Sequence, residues 1–203
     1  QNGARQVALG LAGALVVASS TAGTAYGTPG TAFDDEIVVV LSEIDPALNA
    51  APTSFDMEGY APRYWLINGQ GYPATDPIPA VAGRRLLVRY LNAGLSENSM
   101  GLLGIDQTVV AGDGYAAPFP HVAVAETIPP GGTLDTIIAV DAAAAPGTQY
   151  PLYSASQRLD NAGAGYGGML TVLTVTAPPA AQAPATGRQR VAWRSPFQRQ
   201  ALA

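Results

Sequence analysis

Cysteine is absent from the 203 residues, and histidine occurs once, as His121. Without cysteine, the chain forms no disulfide bonds and offers no thiolate for metal binding or nucleophilic catalysis. Lysine is absent too, so all ten basic residues are arginine, and fifteen acidic residues leave a net charge of −5. Because this balance gives no excess of positive charge to attract phosphate, we predict no nucleic-acid partner.

No apolar run is long enough to cross a membrane as a helix. The run from Val7 to Val17 follows Arg5 and imitates the apolar centre of a secretory signal peptide. It is too short and too rich in glycine for a membrane span, so we predict no transmembrane segment. We favour a strand of the folded protein over a leader for this stretch.

Short apolar runs bounded by glycine and proline dominate the sequence, which contains 23 glycines and 17 prolines. This pattern is typical of many short strands joined by tight turns, and no segment shows a long helical period. We therefore predict an all-β Greek-key sandwich or barrel. The predicted strands cover residues 6–17, 36–44, 63–68, 85–92, 100–104, 107–111, 122–127, 133–140, 150–155 and 169–176.

The clearest alternation lies in the predicted strand 85–92. Its side chains point to two faces, with Leu87, Arg89 and Leu91 on one and Leu86, Val88 and Tyr90 on the other. Because arginine prefers water, we expect the first of these faces to be partly wet. At the end of the preceding strand, Asn68-Gly69 predicts a tight turn, since both residue types tolerate positive φ.

Residues 177–203 differ in composition from the rest of the chain. A stretch rich in proline and alanine leads to four arginines with no acidic residue among them. Up to Thr176, six arginines against fifteen acidic residues leave −9, and the tail supplies +4. A solvated tail is the first interpretation. A docking arm is the second, with Trp193 and Phe197 as the candidate docking residues, because exposed aromatic side chains favour an apolar groove.

Four stretches resemble multicopper oxidases. Residues 6–17 are similar to the closing strand of the first cupredoxin domain in that family, and residues 34–46 to the opening strand of the second domain in bacterial members. The sequence YWLINGQGYP at 64–73 resembles the family's aromatic-x-x-I-N-G-x-x-Y/F-P motif. The sequence GRRLLVRYLNAG at 83–94 resembles its G-x-x-x-x-x-R-x-x-N-A-G motif. The resemblance extends over about residues 6–176.

The resemblance implies three parts of the chain. Residues 1–33 would be the closing strand of a preceding cupredoxin domain and a linker, residues 34–176 a cupredoxin-like domain, and residues 177–203 a linker and basic tail. The role of the cupredoxin-like domain would be to hold the copper-bearing domains of a bacterial oxidase at a fixed distance. Those copper-bearing domains would belong to the same or a neighbouring chain. That parent enzyme would oxidise phenols, metal ions or similar donors and reduce oxygen to water, in the periplasm or outside the cell. An oligomeric assembly is compatible with this interpretation.

The copper ligands of the family are missing from this sequence. A blue copper site requires a cysteine thiolate and two imidazoles, and the oxygen-reducing cluster requires many imidazoles. We therefore predict no catalytic, cofactor-binding or metal-binding residue in this chain, and copper only in the parent enzyme. Met100 lies in the stretch that corresponds to the cupredoxin ligand region, and we interpret it as a core residue. We expect His121 to lie at a strand edge on the surface.

Three further features have structural interpretations. Asp34, Asp35 and Glu36 form the densest acidic cluster, but neighbouring residues on a strand point to opposite faces, so we expect them not to converge on a cation. We expect Glu126 to be buried against an arginine such as Arg89. Residues 165–168 predict a flexible loop before the last strand.

The missing ligands also fit a function of another class. A copper-free cupredoxin-like subunit that has lost catalysis would serve as an assembly or binding module in a larger complex. The basic, aromatic tail favours this alternative slightly.

Overall fold

Two β-sheets packed face to face form the computed structural model, which describes residues 3–178. The strands are β1 Asp35–Ile44, β2 Tyr64–Ile67, β3 Ile78–Val81, β4 Arg85–Asn92, β5 Asn98–Leu102, β6 Gln107–Gly112, β7 Tyr115–Ala123, β8 Ala125–Ile128, β9 Thr133–Ala139, β10 Gln149–Ser154 and β11 Leu170–Thr176. The six-stranded sheet has the order β2-β1-β4-β9-β6-β7, and the five-stranded sheet has the order β3-β11-β10-β5-β8. The predicted all-β sandwich is confirmed.

Helices are few and short in the described part of the chain. They are α1 Gly3–Ala8, α2 Pro46–Ala50, and two 3-10 turns at Pro29–Thr31 and Met57–Gly59. No helix within residues 3–178 is both long enough and apolar enough to cross a membrane.

The main core lies between the two sheets. Leu86, Val88 and Tyr90 of β4 point into it, as their alternation predicts, and Tyr90 is 1% exposed. Strands of the other sheet complete the core, with Met100 on β5 and Leu173 on β11. Burial of these apolar side chains is the main stabilising contribution to the sandwich.

A second, smaller core lies on the outer face of the six-stranded sheet. There the segment before β1 folds back over the strands, and Ala25 reaches into the sheet surface. The participating side chains are Ala25, Leu87, Val110 and Ile137, with Tyr26 and Phe33 packed against them. Leu87 is therefore fully buried, and the face of β4 that we expected to be partly wet is covered at this end.

The predicted strand over residues 6–17 is wrong. Residues Gly3–Ala8 form α1, and residues 9–18 continue without regular structure and exposed to solvent. A strand needs a hydrogen-bonding neighbour, and no described strand pairs with this segment. Arg5 instead fixes the helix to the body, because its guanidinium donates hydrogen bonds to the carbonyl oxygens of Thr53 at 2.9 Å and Phe55 at 2.6 Å.

The other predicted strands correspond to observed ones, with three differences. β3 was not predicted, because Pro77 and Pro79 are poor strand residues. The predicted strand 122–127 is the end of β7 and the start of β8, with a break at Val124. β7 begins seven residues earlier, at Tyr115.

The turn at Asn68-Gly69 is confirmed. Asn68 has φ 50° and Gly69 has φ 81°. The flanking residues Ile67 and Gln70 exchange both backbone hydrogen bonds, at 2.8 and 3.0 Å. This geometry is that of a tight hairpin turn.

Residues 165–168 precede β11, as predicted, and a side-chain hydrogen bond joins the last of them to Asn161. The Asn161 side chain accepts a hydrogen bond from the Gly168 N–H at 3.0 Å and donates one to the Tyr72 carbonyl at 2.8 Å. A Cβ atom on Gly168 would lie 2.3 Å from the Arg158 carbonyl oxygen, so the close approach of the two segments requires glycine. Of the tail, only residues 177 and 178 are described, and Trp193 and Phe197 lie outside the described residues.

Candidate functional site

Met100 packs as a core residue, as predicted. It lies on β5, is fully buried, and belongs to the main core. Its carbonyl oxygen accepts a hydrogen bond from Gln107 Nε2 at 3.1 Å, and Gln107 Oε1 accepts one from the Tyr90 hydroxyl at 3.3 Å. Because the surroundings of this methionine are apolar side chains and a paired amide, its thioether has a packing role.

His121 lies on the exposed edge strand β7, opposite Val109. Its side chain is 57% exposed, and its Nε2 atom lies 3.3 Å from Glu126 Oε2. The predicted surface position is confirmed. The expectation that Glu126 is buried against Arg89 is wrong, because Glu126 lies at the edge of the five-stranded sheet whereas Arg89 lies in the other sheet and points outward.

The acidic cluster at the start of β1 diverges, as the strand geometry predicts. Asp34 accepts a hydrogen bond from the Arg85 backbone N–H at 2.8 Å. Asp35 lies 3.1 Å from Arg84 Nε, and Glu36 pairs with Arg89. Across residues 3–178, no group of three or more histidine, cysteine, aspartate or glutamate side chains could hold a metal ion.

A charged cluster occupies the outer face of the six-stranded sheet. Arg89 on β4 donates hydrogen bonds to Glu36 on β1 and to Asp135 on β9, and the Tyr26 hydroxyl donates to Asp135 Oδ2 at 2.7 Å. Asp135 is only 5% exposed, so its charge depends on these donors. Burial, together with the neighbouring Asp135 carboxylate, raises the pKa of Tyr26 well above its ordinary value. Tyr26 therefore remains a neutral donor at physiological pH.

A cleft of about 480 Å³ lies between this cluster and residues 14–17; we call it the outer cleft. One wall is apolar and open to solvent, with Leu15 90% and Val17 80% exposed. Arg89 and Asp135 line the opposite wall. The full lining consists of Ala14, Leu15, Val16, Val17, Tyr26, Val38, Arg89, Tyr90, Leu91, Asp113, Gly114, Tyr115, Thr133 and Asp135. The lining therefore combines apolar side chains with a few polar groups held by hydrogen bonds.

Buried polar side chains tie the loop after β4 to the rest of the sandwich. Glu43 Oε1 accepts hydrogen bonds from the backbone N–H groups of Leu95 at 3.0 Å and Ser96 at 3.1 Å. Asn92 donates to the carbonyl oxygens of Ser96 at 2.8 Å and Ile128 at 2.9 Å. The asparagine of the motif at 83–94 therefore has a structural role, joining the end of β4 to the end of β8.

Sequence reasoning missed Glu43, Asp135 and Tyr26. Strand parity carries a signal for Glu43, because it follows the inward-facing Val39 and Leu41 at two-residue spacing and so occupies an inward position. Tyr26 has no such signal, since it lies in an irregular segment that reaches Asp135 only in the folded chain.

Solved structures of copper proteins share this architecture. Blue copper oxidase from Nitrosomonas europaea matches with a TM-score of 0.65 and 21% identity, over 70% of this chain and 44% of that one. The laccase from Botrytis aclada matches with a TM-score of 0.53 and 19% identity, over 79% of this chain and 33% of that one. A copper-containing nitrite reductase from Thermus scotoductus SA-01 has a TM-score of 0.53 and 18% identity, over 72% of this chain and 32% of that one.

The chain has a cupredoxin-like fold. This likeness, below 25% identity, concerns the fold, and the chain spans less than half the length of each of these structures. No protein-family model matches the sequence, and no curated protein matches it either.

The residues of this cupredoxin-like domain do not fit a copper ion. The sequence supplies no thiolate and one imidazole, and that imidazole is exposed and lies beside Glu126. A blue copper site needs one thiolate and two imidazoles that converge on the metal. We therefore assign no copper chemistry to the side chains of this domain.

Proposed function

We propose that residues 34–176 are the copper-free second domain of a bacterial multicopper oxidase and that their role is architectural. One observation carries the proposal: the chain combines the fold found in copper oxidases with a donor set that does not fit copper. Copper ions in adjoining domains would carry electrons from a reduced donor to oxygen. The residues of this domain would fix the distance and the orientation between those copper-bearing domains.

The distribution of exposed apolar side chains supports a role in contact with other domains. β7 presents Tyr115 at 80% and Phe119 at 85% exposure, and the strand-end residues Val122 and Val124 are also exposed. Clusters of this kind are typical of protein interfaces. We propose that copper-bearing domains of the same or a neighbouring chain cover part of this surface, in the periplasm or outside the cell.

The proposal is tested by isolating the polypeptide from its native source with an antibody against residues 34–176. The intact mass under denaturing conditions and the copper content are then measured on the same sample. We expect a mass well above 20.7 kDa and several copper ions per polypeptide. A mass near 20.7 kDa without copper would contradict the proposal and support the alternative below.

The second candidate function is a non-catalytic subunit that acts as an assembly or binding module. The exposed apolar side chains of β7 fit this alternative as well, since a separate partner protein could cover them. Co-purification distinguishes the two, because the alternative expects copper on a different polypeptide of the same complex, or no copper in the complex.

A further inference from the structure

We propose that the outer cleft binds residues 188–199 of the same chain, the stretch that contains four arginines with Trp193 and Phe197 between them. This proposal concerns an interaction within the chain and is independent of whether the domain belongs to an oxidase.

Charge complementarity is the first argument. Asp113 and Asp135 line the cleft together with a single guanidinium, that of Arg89, which also pairs with Glu36, so carboxylates outnumber guanidinium groups here. The whole of residues 1–176 has six arginines against fifteen acidic residues, whereas residues 188–199 have four arginines and no acidic residue. A cationic segment therefore has a net attraction for this body and for this cleft.

Apolar complementarity is the second argument. Leu15 and Val17 form an exposed apolar wall, and Tyr115 at the same cleft is 80% exposed. Trp193 and Phe197 would cover this wall, and removing apolar surface from water is favourable in proportion to the area buried. The Tyr115 ring also offers a face on which an arginine can stack.

The cleft suits this segment better than the rest of β7, around Phe119 and Val122, does. That part of the surface has Glu126 beside it, whose Oε2 atom lies 3.3 Å from His121 Nε2. Two carboxylates, those of Asp113 and Asp135, line the cleft itself. Apolar contact alone would not select an arginine-rich segment.

The connection is long enough. The description of the chain ends at residue 178, so residues 179–187 precede the first arginine of the segment. Nine residues span at most about 30 Å. Thr176 pairs with Val81 and accepts a hydrogen bond from the Ala82 N–H at 3.0 Å, so the described end of the chain lies near the start of β4. Arg89 follows Arg85 by four residues on that strand, about 13 Å, which is within this reach.

The absence of cysteine allows a direct test on the full chain. Ser195→Cys creates a unique attachment point for a nitroxide spin label between Trp193 and Phe197. The amide signals of the 15N-labelled protein are then compared with the label oxidised and reduced. We expect the oxidised label to attenuate the signals of residues 14–17 and 113–115, and to leave those of β3 unaffected.

A matched pair of variants tests the role of charge. Asp113 accepts a hydrogen bond from the Thr133 N–H at 2.9 Å, and Asp141 accepts one from the Ala143 N–H at 2.8 Å. Asparagine keeps the accepting oxygen at both positions. The fraction of molecules with the tail in the outer cleft is measured from the attenuation of the amide signals of residues 14–17. We expect Asp113→Asn to reduce this fraction by roughly two- to threefold and Asp141→Asn to leave it unchanged. The amide spectrum of each variant verifies that it is folded.

Three results would overturn the proposal. The first is attenuation of no described residue, and the second is attenuation confined to residues 117–128, which lie on or between β7 and β8 outside the cleft. The third is attenuation that appears equally when spin-labelled 14N protein is mixed with unlabelled 15N protein, because the tail would then bind a second copy. For the intrachain contact, we expect attenuation to weaken at about 1 M salt, where the screening length is about 3 Å.

Discussion

β4 and β7 belong to the same sheet but have opposite surroundings. β4 lies between β1 and β9, faces the main core on one side, and is covered by Ala25 and its neighbours on the other. β7 has a single neighbour, β6, and exposes nearly all of its side chains. Two strands of one sheet can therefore differ in role, one burying its side chains in the cores and the other exposing them to solvent. The side chains of β4 are mostly buried, and those of β7 are mostly exposed, among them Tyr115 and Phe119.

Arg89 of β4 offers the most severe test of this comparison. Arg89→Gln would remove the positive charge that neutralises Asp135 and Glu36 on the outer face of the six-stranded sheet. Tyr26, from the segment before β1, contacts Asp135 there. We expect a loss of about 3 kcal/mol in the free energy of unfolding, because a buried carboxylate would lose its partner. Urea denaturation measures this loss. Arg84→Gln is the matched control, and its partly exposed pair with Asp35 predicts a loss below about 1 kcal/mol.

The same substitution in the two strands isolates the effect of burial. Val88 is fully buried, whereas Val122 is 61% exposed. Val88→Ala should lower the free energy of unfolding by about 2 kcal/mol through lost burial and the cavity left behind. Val122→Ala should change it by less than about 0.5 kcal/mol. Equal losses at the two sites, measured by denaturant unfolding, would refute the comparison.

High pH should lower the stability of the sandwich. Burial raises the pKa of Tyr26, Tyr60 and Tyr90 above the ordinary value of 10.0. The unfolded chain releases these protons from about pH 10 while the folded chain retains them, so stability is complete below that pH and is lost as the pH rises. The loss is up to roughly 1.4 kcal/mol at pH 11 for the fully buried Tyr90, and smaller for the partly exposed Tyr26 and Tyr60, whose charge water screens. Tyr26→Phe should reduce the slope of unfolding free energy against pH, and an unchanged slope would contradict the assignment.

The smallest effect is expected at Phe119, which is 85% exposed on β7. Phe119→Ala should leave the thermal midpoint nearly unchanged, with less than about 0.5 kcal/mol lost. Phe33→Ala is the contrasting variant, because Phe33 packs against the second core and its removal should produce a clear decrease. A large decrease for Phe119→Ala would show that β7 contributes to the core after all.

The same contrast explains how much of the fold could be predicted. The bounds of β4 follow from the sequence, since Gly83 precedes an apolar run that only Arg89 interrupts between Leu86 and Leu91, and Asn92 begins the turn that ends it. The first half of β7 gives no such signal, because an exposed strand with Pro118 and Pro120 has no alternation of apolar and polar residues. Residues 6–17 have the composition of a strand, but pairing, which local sequence does not encode, decides between strand and irregular structure.

The candidate site was predictable only in part. The absence of a copper donor set follows from composition, and the divergence of the acidic cluster follows from strand geometry. The partners of Arg89 depend on which strands become neighbours, and Asp135 lies directly opposite Arg89 only because β9 pairs with β4 in this register. The outer cleft depends in addition on the path of residues 14–17, for which the sequence contains no periodic signal.

The segment that folds over Leu87, Val110 and Ile137 has a consequence for how such a chain can change during evolution. Irregular segments on a protein surface usually accept insertions and deletions freely. Here, the side chains of Ala25 and Phe33 pack on the strands beneath them. Their N–H groups also bond to carbonyl oxygens within the segment, at 2.8 and 3.0 Å. An insertion between these two residues would therefore disturb the segment's own hydrogen bonds and its packing on the sheet. We expect relatives to conserve the length of residues 23–33 as strictly as that of a core strand, and to vary in length before residue 19.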